Sequence, residues 1–285
     1  MQYRFMRFPG GKGKAFTMSY DDGCEHDIRF SDVITKYGLK CTFNLTSMER
    51  IALSAKEVKE HILSRGHEVA VHGAMHLSQG KIRPIEGICD ILESRKSLEE
   101  EFKIIVRGMA YANTGIREII PGNTYENIKG YIKNLDIAYA RTLGGDNNFF
   151  NLPEDWYSWM PTAHHNNPML MEYIDEFLDL SFTGYYNRRN SRLFYLWGHS
   201  YEFEENDNWS RLDDICEKIS GRDDIWYATN MEIYEYVKAY NSLIYSADGK
   251  IVRNPSRVDI WFECDDKTYK VTAGQTIFYR LKKWA

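Results

Sequence analysis

Two acidic residues, Asp21 and Asp22, stand at the end of the apolar stretch AFTMSY and are followed by Gly23. Further along, the stretch GHEVAVHGAMH places His72 directly after the apolar run EVAV and His76 four positions later. Adjacent carboxylates leaving a strand point in different directions, so one can bind a metal while its neighbour stays free as a base. Histidines at i and i+4 share one face of a helical turn and can chelate a single ion. Asp22, His72 and His76 together offer one carboxylate and two imidazoles. Three protein ligands leave a coordination position open for water, the pattern of a catalytic rather than a structural zinc. The position after His72 is Gly73 rather than glutamate, so the helix-borne zinc-protease motif is absent. Taken singly, each piece has a plain alternative: a polar turn for Asp-Asp-Gly, and two unconnected surface histidines for HxxxH.

His199, in LFYLWGHSYEF, fits a general acid because imidazole titrates near the working pH. A buried, hydrogen-bonded histidine at a strand end is the alternative. Arg107 and Arg141 are each able to orient a carboxylate or to form a structural salt bridge, and Tyr111 follows the run IIVRGMA.

The elements that carry these residues alternate. The apolar segments AFTMSY, KCTFNL, HEVAVH, KIIVRGMAY, DIAYART, YSWMPTA, RLFYLWGH and DIWYAT read as strands. Between them lie segments of helical periodicity, among them DIRFSDVITKYG, SAKEVKEHILSRG, DILESRKSLEEEF, YENIKGYIKNL, PMLMEYIDEFLDL and WSRLDDICEKIS. Ser54 followed by Glu57 is a capping-box signature, and Gly38 and Gly66 sit where helices should stop. Repeated strand–helix alternation predicts a parallel sheet, closed as a (β/α) barrel or left open and doubly wound. In both, functional groups gather beyond the C-terminal strand ends. Asp21, Asp22, His72, His76, Tyr111, Arg141 and His199 all follow strands in this way. Residues 1–240 are read as this α/β unit. Residues 241–285 change texture: KIVRNP, RVDIWFECD, KTYKVTA and QTIFYRL predict a small antiparallel β extension.

The composition sets limits. The 285 residues are 43% hydrophobic, enough to bury a full core. The net charge of −5 and the lack of a basic block argue against a nucleic-acid partner. No apolar run is long enough to span a bilayer. Five cysteines, Cys24, Cys41, Cys89, Cys216 and Cys264, make an odd count with no CxxC pair, which argues against a disulfide framework or a cysteine zinc site. With no apolar leader core in MQYRFMRFPGGKGKAF, the expected location is the cytoplasm. Twenty tyrosines and seven tryptophans serve either core packing or a cleft that stacks sugar rings.

SYDDG, then GHEVAVHGAMH, then LFYLWGH resembles, over roughly residues 10–240, the polysaccharide deacetylases, the NodB-homology group of carbohydrate esterases. The resemblance implies a distorted (β/α) barrel with about seven strands, one divalent metal and removal of acetyl groups from N- or O-acetylated sugars. Zinc is the usual metal, with Co2+, Mn2+ or Ni2+ as alternatives. It implies Asp21 as catalytic base, Asp22, His72 and His76 as metal ligands, and His199 as general acid. Leu196 falls at the acetyl-pocket position of an LxxH element. Gly73 stands where the family usually has Ser or Thr, so one supporting hydrogen bond is missing. The third family motif, an arginine in an Arg-Pro-Pro-Tyr run, is degenerate here. In RGMAYANTG, Ala110 takes the arginine position and Asn113 the tyrosine position. A backbone N–H near Tyr111 to Asn113 is expected to hold the oxyanion. The fourth motif, an Asp near a Trp that tunes the acid histidine, has no clean match in PEDWYSWMPTAHH; Trp159 there is assigned to the substrate cleft.

The missing arginine has two candidates. Arg107 lies three residues before Ala110, which at ~3.3 Å per residue sets it about 10 Å below the rim. Arg141 ends the next strand at rim height, so Arg141 is expected to hold Asp21, a pairing with Asp146 or Glu154 being the alternative. The expected reaction is metal-dependent N-deacetylation of an acetylated sugar or oligosaccharide. An O-acetyl esterase of the acetylxylan type, or a carbohydrate-binding protein on the same barrel, are the other readings.

Overall fold

The computed structural model describes residues 3–144, 150–183 and 189–279. Its strands are β1 (Arg4–Arg7), β2 (Lys14–Asp21), β3 (Cys41–Leu45), β4 (Glu68–Val71), β5 (Gly108–Ala110), β6 (Tyr139–Arg141), β7 (Ala163–His164), β8 (Arg192–Gly198), β9 (Ile225–Tyr227), β10 (Ile244–Tyr245), β11 (Ile251–Arg253), β12 (Ile260–Cys264), β13 (Lys267–Val271) and β14 (Thr276–Phe278). Seven strands form one curled parallel sheet in the order β6-β5-β4-β3-β2-β8-β7, and β9 adds to the lower half of β2. The two ends of the curl meet through the segment that leads into β7. The Trp159 N–H donates to the Ala140 carbonyl (3.1 Å) and the Thr142 N–H to the Trp159 carbonyl (3.0 Å). Residues 163–164 of the same segment then pair with β8. The result is the distorted (β/α) barrel expected from the sequence.

β2 and β8 are the central staves, and the two-residue period divides their side chains. Phe16, Met18, Phe194 and Leu196 face the helices, packed with Phe30, Ile34, Leu212 and Ile215. Ala15, Leu193 and Tyr195 face the barrel interior with Tyr139 and Trp159. Burial on both faces is why these strands read as near-continuous apolar runs. Helices His26–Lys36, Pro84–Phe102, Tyr125–Asn134, Leu170–Leu178 and Trp209–Ile219 cover the outside, while Asn230–Asn241 packs Ile233 and Tyr236 into the interior cluster. The Ser54 capping box is made, with the Ser54 N–H donating to the Glu57 carboxylate at 2.8 Å, and Gly66 ends its helical run at φ +76°. Among the described residues no helix is long and apolar enough to cross a membrane.

The C-terminal strands form two small antiparallel sheets, β1-β12-β13 and β10-β11-β14. One of their edges comes from the N-terminus, since Arg4–Arg7 pairs with β12 along its whole length. Ile260 of β12 is buried in the same cluster as Tyr195 and Tyr236, and the buried Arg7 pairs with Glu263 at 2.6 Å. The extension therefore shares a core with the bottom of the barrel, and RFMR, an alternating stretch, is the strand that the sequence reading passed over.

Candidate active site

β2 ends in Asp21, and the chain turns there with Asp22 at φ +83°. Asp21 is buried and held from two sides. The Asn44 amide of β3 donates to its Oδ1 at 2.8 Å, and the Arg141 guanidinium of β6 donates to its Oδ2. Arg141 is itself 1% exposed and lies over the Trp197 ring, 4.6 Å from its centre. Arg107 is elsewhere, on the exposed Asp136 at 2.9 Å. Of the alternative partners for Arg141, Asp146 lies outside the described residues.

His72 follows β4, and its Nδ1–H donates to the Ala110 carbonyl at 3.0 Å. A carbonyl only accepts, so the proton is on Nδ1 and Nε2 carries the lone pair. That Nε2 lies 3.1 Å from His76 Nε2 and 3.5 Å from Asp22 Oδ1, while His76 Nε2 is 3.2 Å from the same oxygen. Metal–ligand bonds of 2.0–2.2 Å at tetrahedral angles place ligand atoms roughly 3.3–3.6 Å apart. The three donor atoms have ligand chemistry, and their edges of 3.1, 3.2 and 3.5 Å are close to those of a metal triad. Burial pushes the Asp22 carboxyl up, but the His72 and His76 rings that face it pull it further the other way, below the usual carboxylate range.

The turn between the two histidines is tied to helix Pro84–Phe102. Asp90 accepts the Met75 N–H on its carboxylate (2.6 Å) and the Ala74 N–H on its carbonyl (2.9 Å). Gly73 sits at φ +79°, and a Cβ there would collide with the Asp90 carboxylate. Glycine at this position is thus a requirement of the turn, and Asp90 supplies the support that a hydroxyl side chain would have given. Asn113, exposed at the rim, donates to the His76 carbonyl at 2.6 Å.

His199 leaves β8 with Nε2 3.9 Å from both Asp21 and Asp22. Its Nδ1 lies 3.4 Å from Glu202 Oε2. Burial pushes the imidazole down, but Glu202, Asp21 and Asp22 outweigh it and raise its pKa. Glu202 Oε2 also lies 3.1 Å from His164 Nε2 and 3.2 Å from His165 Nε2. Burial pushes this carboxyl up, and the histidines pull it further in the opposite direction, well below the usual range.

The structure thus brings Asp21, Asp22, His72, His76, Arg141 and His199 to one mouth, with Asn113 beside it. Three other expectations are corrected. Leu196 is fully buried on the helix side of β8. The two-residue period that turns His199 inward also turns Trp197 inward, and Trp197 is the apolar residue at the mouth. Trp159 is 1% exposed and packs among Tyr139, Trp156 and Tyr195, so it closes the barrel and cannot stack a sugar. Tyr111 is buried, its hydroxyl donates to the Tyr157 carbonyl (2.9 Å) and its N–H to the Arg141 carbonyl (2.9 Å), which removes it as an oxyanion donor. The sequence reading also passed over Asn44, Asp90 and Glu202. Glu202 had a signal, since it follows His199 by three positions, one helical turn.

Residues 9–129 match the polysaccharide deacetylase family model, a span that carries Asp21, Asp22, His72 and His76. No curated protein matches the chain in sequence. Among solved structures, one from Mycobacterium smegmatis assigned as a polysaccharide deacetylase is similar with a TM-score of 0.56 and 14% identity, covering 85% of this chain and 96% of the other. A mutant of the peptidoglycan deacetylase PdaC from Bacillus subtilis follows at 0.51 and 13%, covering 82% and 95%. The chitin deacetylase of the fungal pathogen Colletotrichum lindemuthianum gives 0.50 and 14%, covering 80% and 89%. At these identities the likeness is one of fold. The family match runs through the Asp-Asp-Gly and HxxxH stretches, so the chain is similar to the polysaccharide deacetylases over that span and in the fold of its barrel.

Proposed function

We propose that the protein is a metal-dependent hydrolase that removes acetyl groups from N-acetylated sugars or oligosaccharides. The observation that carries this reading is the convergence, at one barrel mouth, of the Asp22–His72–His76 triad with an arginine-held carboxylate and a histidine. A divalent ion in that triad, zinc in the first place, would supply Lewis acidity to the acetyl carbonyl and to the attacking water.

The chain's own residues divide the remaining work. Asp21 is the base that takes the water's proton. Arg141 and Asn44 occupy one oxygen each and fix the carboxylate plane, so the proton is accepted from a set direction. The backbone N–H groups of Ala112 and Asn113, the part of that turn not used by the sheet, stabilise the tetrahedral oxyanion. His199 hands the Nε2 proton to the departing nitrogen. An amine is a poor leaving group without that proton, which is why an acid this well placed supports the N-acetyl reading over the ester. Trp197 forms the apolar wall beside the acetyl methyl.

The test is acetate release from N-acetylated chitooligosaccharides and from O-acetylated xylooligosaccharides, before and after chelation and with zinc restored. The expected result is chelator-sensitive release from the amide substrates. Release from the xylan ester alone transfers the assignment to an O-acetyl esterase, and no release from either leaves a carbohydrate-binding barrel.

A further inference from the structure

Beyond the metal triad, one more group of described residues has metal-ligand types at close range: His164, His165 and Glu202. Its protons argue against a second ion. The Asn166 N–H donates to His164 Nδ1 at 3.1 Å, so the imidazole proton of His164 is on Nε2. That Nε2–H faces Glu202 Oε2 at 3.1 Å as a donor, with no lone pair for a metal. The His199 backbone N–H donates to the same oxygen at 3.1 Å. Glu202 is therefore a carboxylate pinned by fixed donors, and it stands 3.4 Å from the inner nitrogen of His199.

We propose that Glu202 is a positioning residue for His199, with His164 as its support. The carboxylate fixes the imidazole so that Nδ1–H points inward and Nε2–H points at the leaving group. The inference rests on the reading of His199 as the acid. In the reaction, the N–C bond of the amide breaks, the Nε2 proton goes to the departing nitrogen, and the Nδ1 proton stays shared with Glu202. At 3.4 Å the Nδ1–Oε2 approach does not yet make a hydrogen bond here. Such contacts commonly tighten only when substrate is bound.

A purely structural role is the competing account, because Glu202 also ties down the N-terminus of helix Tyr201–Glu205. Glu202→Gln separates the two, since glutamine still accepts the backbone N–H but carries no charge. The zinc-loaded full chain is assayed on N-acetylated chitooligosaccharide and on an aryl acetate, whose phenolate leaves without protonation. The expected result is a fall in kcat of about tenfold to a hundredfold on the amide, with KM nearly unchanged and the aryl ester within about twofold of the parent. His164→Ala should show the same signature at about threefold to tenfold. His199→Ala is the control. If it discriminates between the two substrates and Glu202→Gln does not, this inference fails alone. If His199→Ala does not discriminate either, the acid assignment fails and this inference with it. Equal losses on both substrates reduce Glu202 to a helix cap, and loss of one metal equivalent in Glu202→Gln makes it a ligand; either overturns the proposal.

Discussion

Asp22, His72 and His76 on one side of His199, and Glu202, His164 and His165 on the other, are each one carboxylate and two imidazoles at similar distances. In the first group the histidine nitrogens lie 3.2 and 3.5 Å from the carboxylate oxygen, in the second 3.1 and 3.2 Å. Distance does not separate them. The far ring nitrogens do. His72 gives its Nδ1 proton to a carbonyl, which leaves Nε2 bare toward the mouth. His164 receives an N–H at Nδ1, which forces its proton onto Nε2. His165 has Nδ1 against the Tyr20 hydroxyl at 3.1 Å, and its burial pushes it well below the usual imidazole range. A carboxylate with two imidazoles is thus a metal site or a proton-holding network according to what backs the rings.

The comparison breaks most readily at the first group. His72→Ala or His76→Ala should remove the metal and cut turnover by on the order of a thousandfold or more. Elemental analysis checks it, and full zinc retention in both variants would end the triad assignment. Asp21→Asn should keep the metal and lower kcat by roughly a hundredfold to ten-thousandfold, because asparagine cannot accept a proton. Asp22→Asn should weaken metal retention instead; the reverse pattern would exchange their roles. Arg141→Ala leaves the buried Asp21 with Asn44 alone and should cost about 3 kcal/mol in urea unfolding. Arg107→Ala, on an exposed pair, should stay within about 0.5 kcal/mol. Equal effects of the two would remove the case for a buried clamp.

A separate, pH-dependent effect concerns Asp27, which lies beneath both groups. It accepts the Ser200 hydroxyl at 2.6 Å, and its other oxygen has no partner. Burial pushes its pKa up to about 7, against the Ser200 hydrogen bond and with help from Asp22 and Asp21. The folded protein then binds a proton that the unfolded chain, at 3.8, has released. Its contribution to stability is full below pH 3.8 and is lost as the pH rises through about 7. Asp27→Asn should flatten the unfolding midpoint across that window, and an unchanged pH profile would count against it.

Much of this was legible in the residues. The strand–helix alternation located the barrel staves because β2 and β8 are buried on both faces and carry few charges. The triad was legible from its position after strands, and Arg141 from the rise per residue. Leu196 was misplaced because a motif spacing was counted where the two-residue period of β8 should have been: with His199 inward, 197 and 195 are inward too. Trp159 could not be placed from sequence, because whether a tryptophan lines a cleft or fills a barrel depends on how the sheet closes. Glu202 was missed because an aspartate near a tryptophan was sought upstream, while the carboxylate lay one turn downstream of His199.

The closure of the barrel has a consequence for how the protein fails. β2 and β8 share a seven-residue ladder, whereas β7 has two residues and the segment before it meets β6 at one bridge, Arg141 with Trp159. A joint with so few hydrogen bonds opens at lower free energy than the staves around it. Its amides should exchange with solvent ahead of those of β2 and β8. The same short segment carries His164 and His165. Each sub-global opening of the seam therefore draws those rings away from Glu202 while the rest of the barrel stays folded. Inactivation by heat would then begin as a local event at this seam, below the temperature at which the whole fold melts.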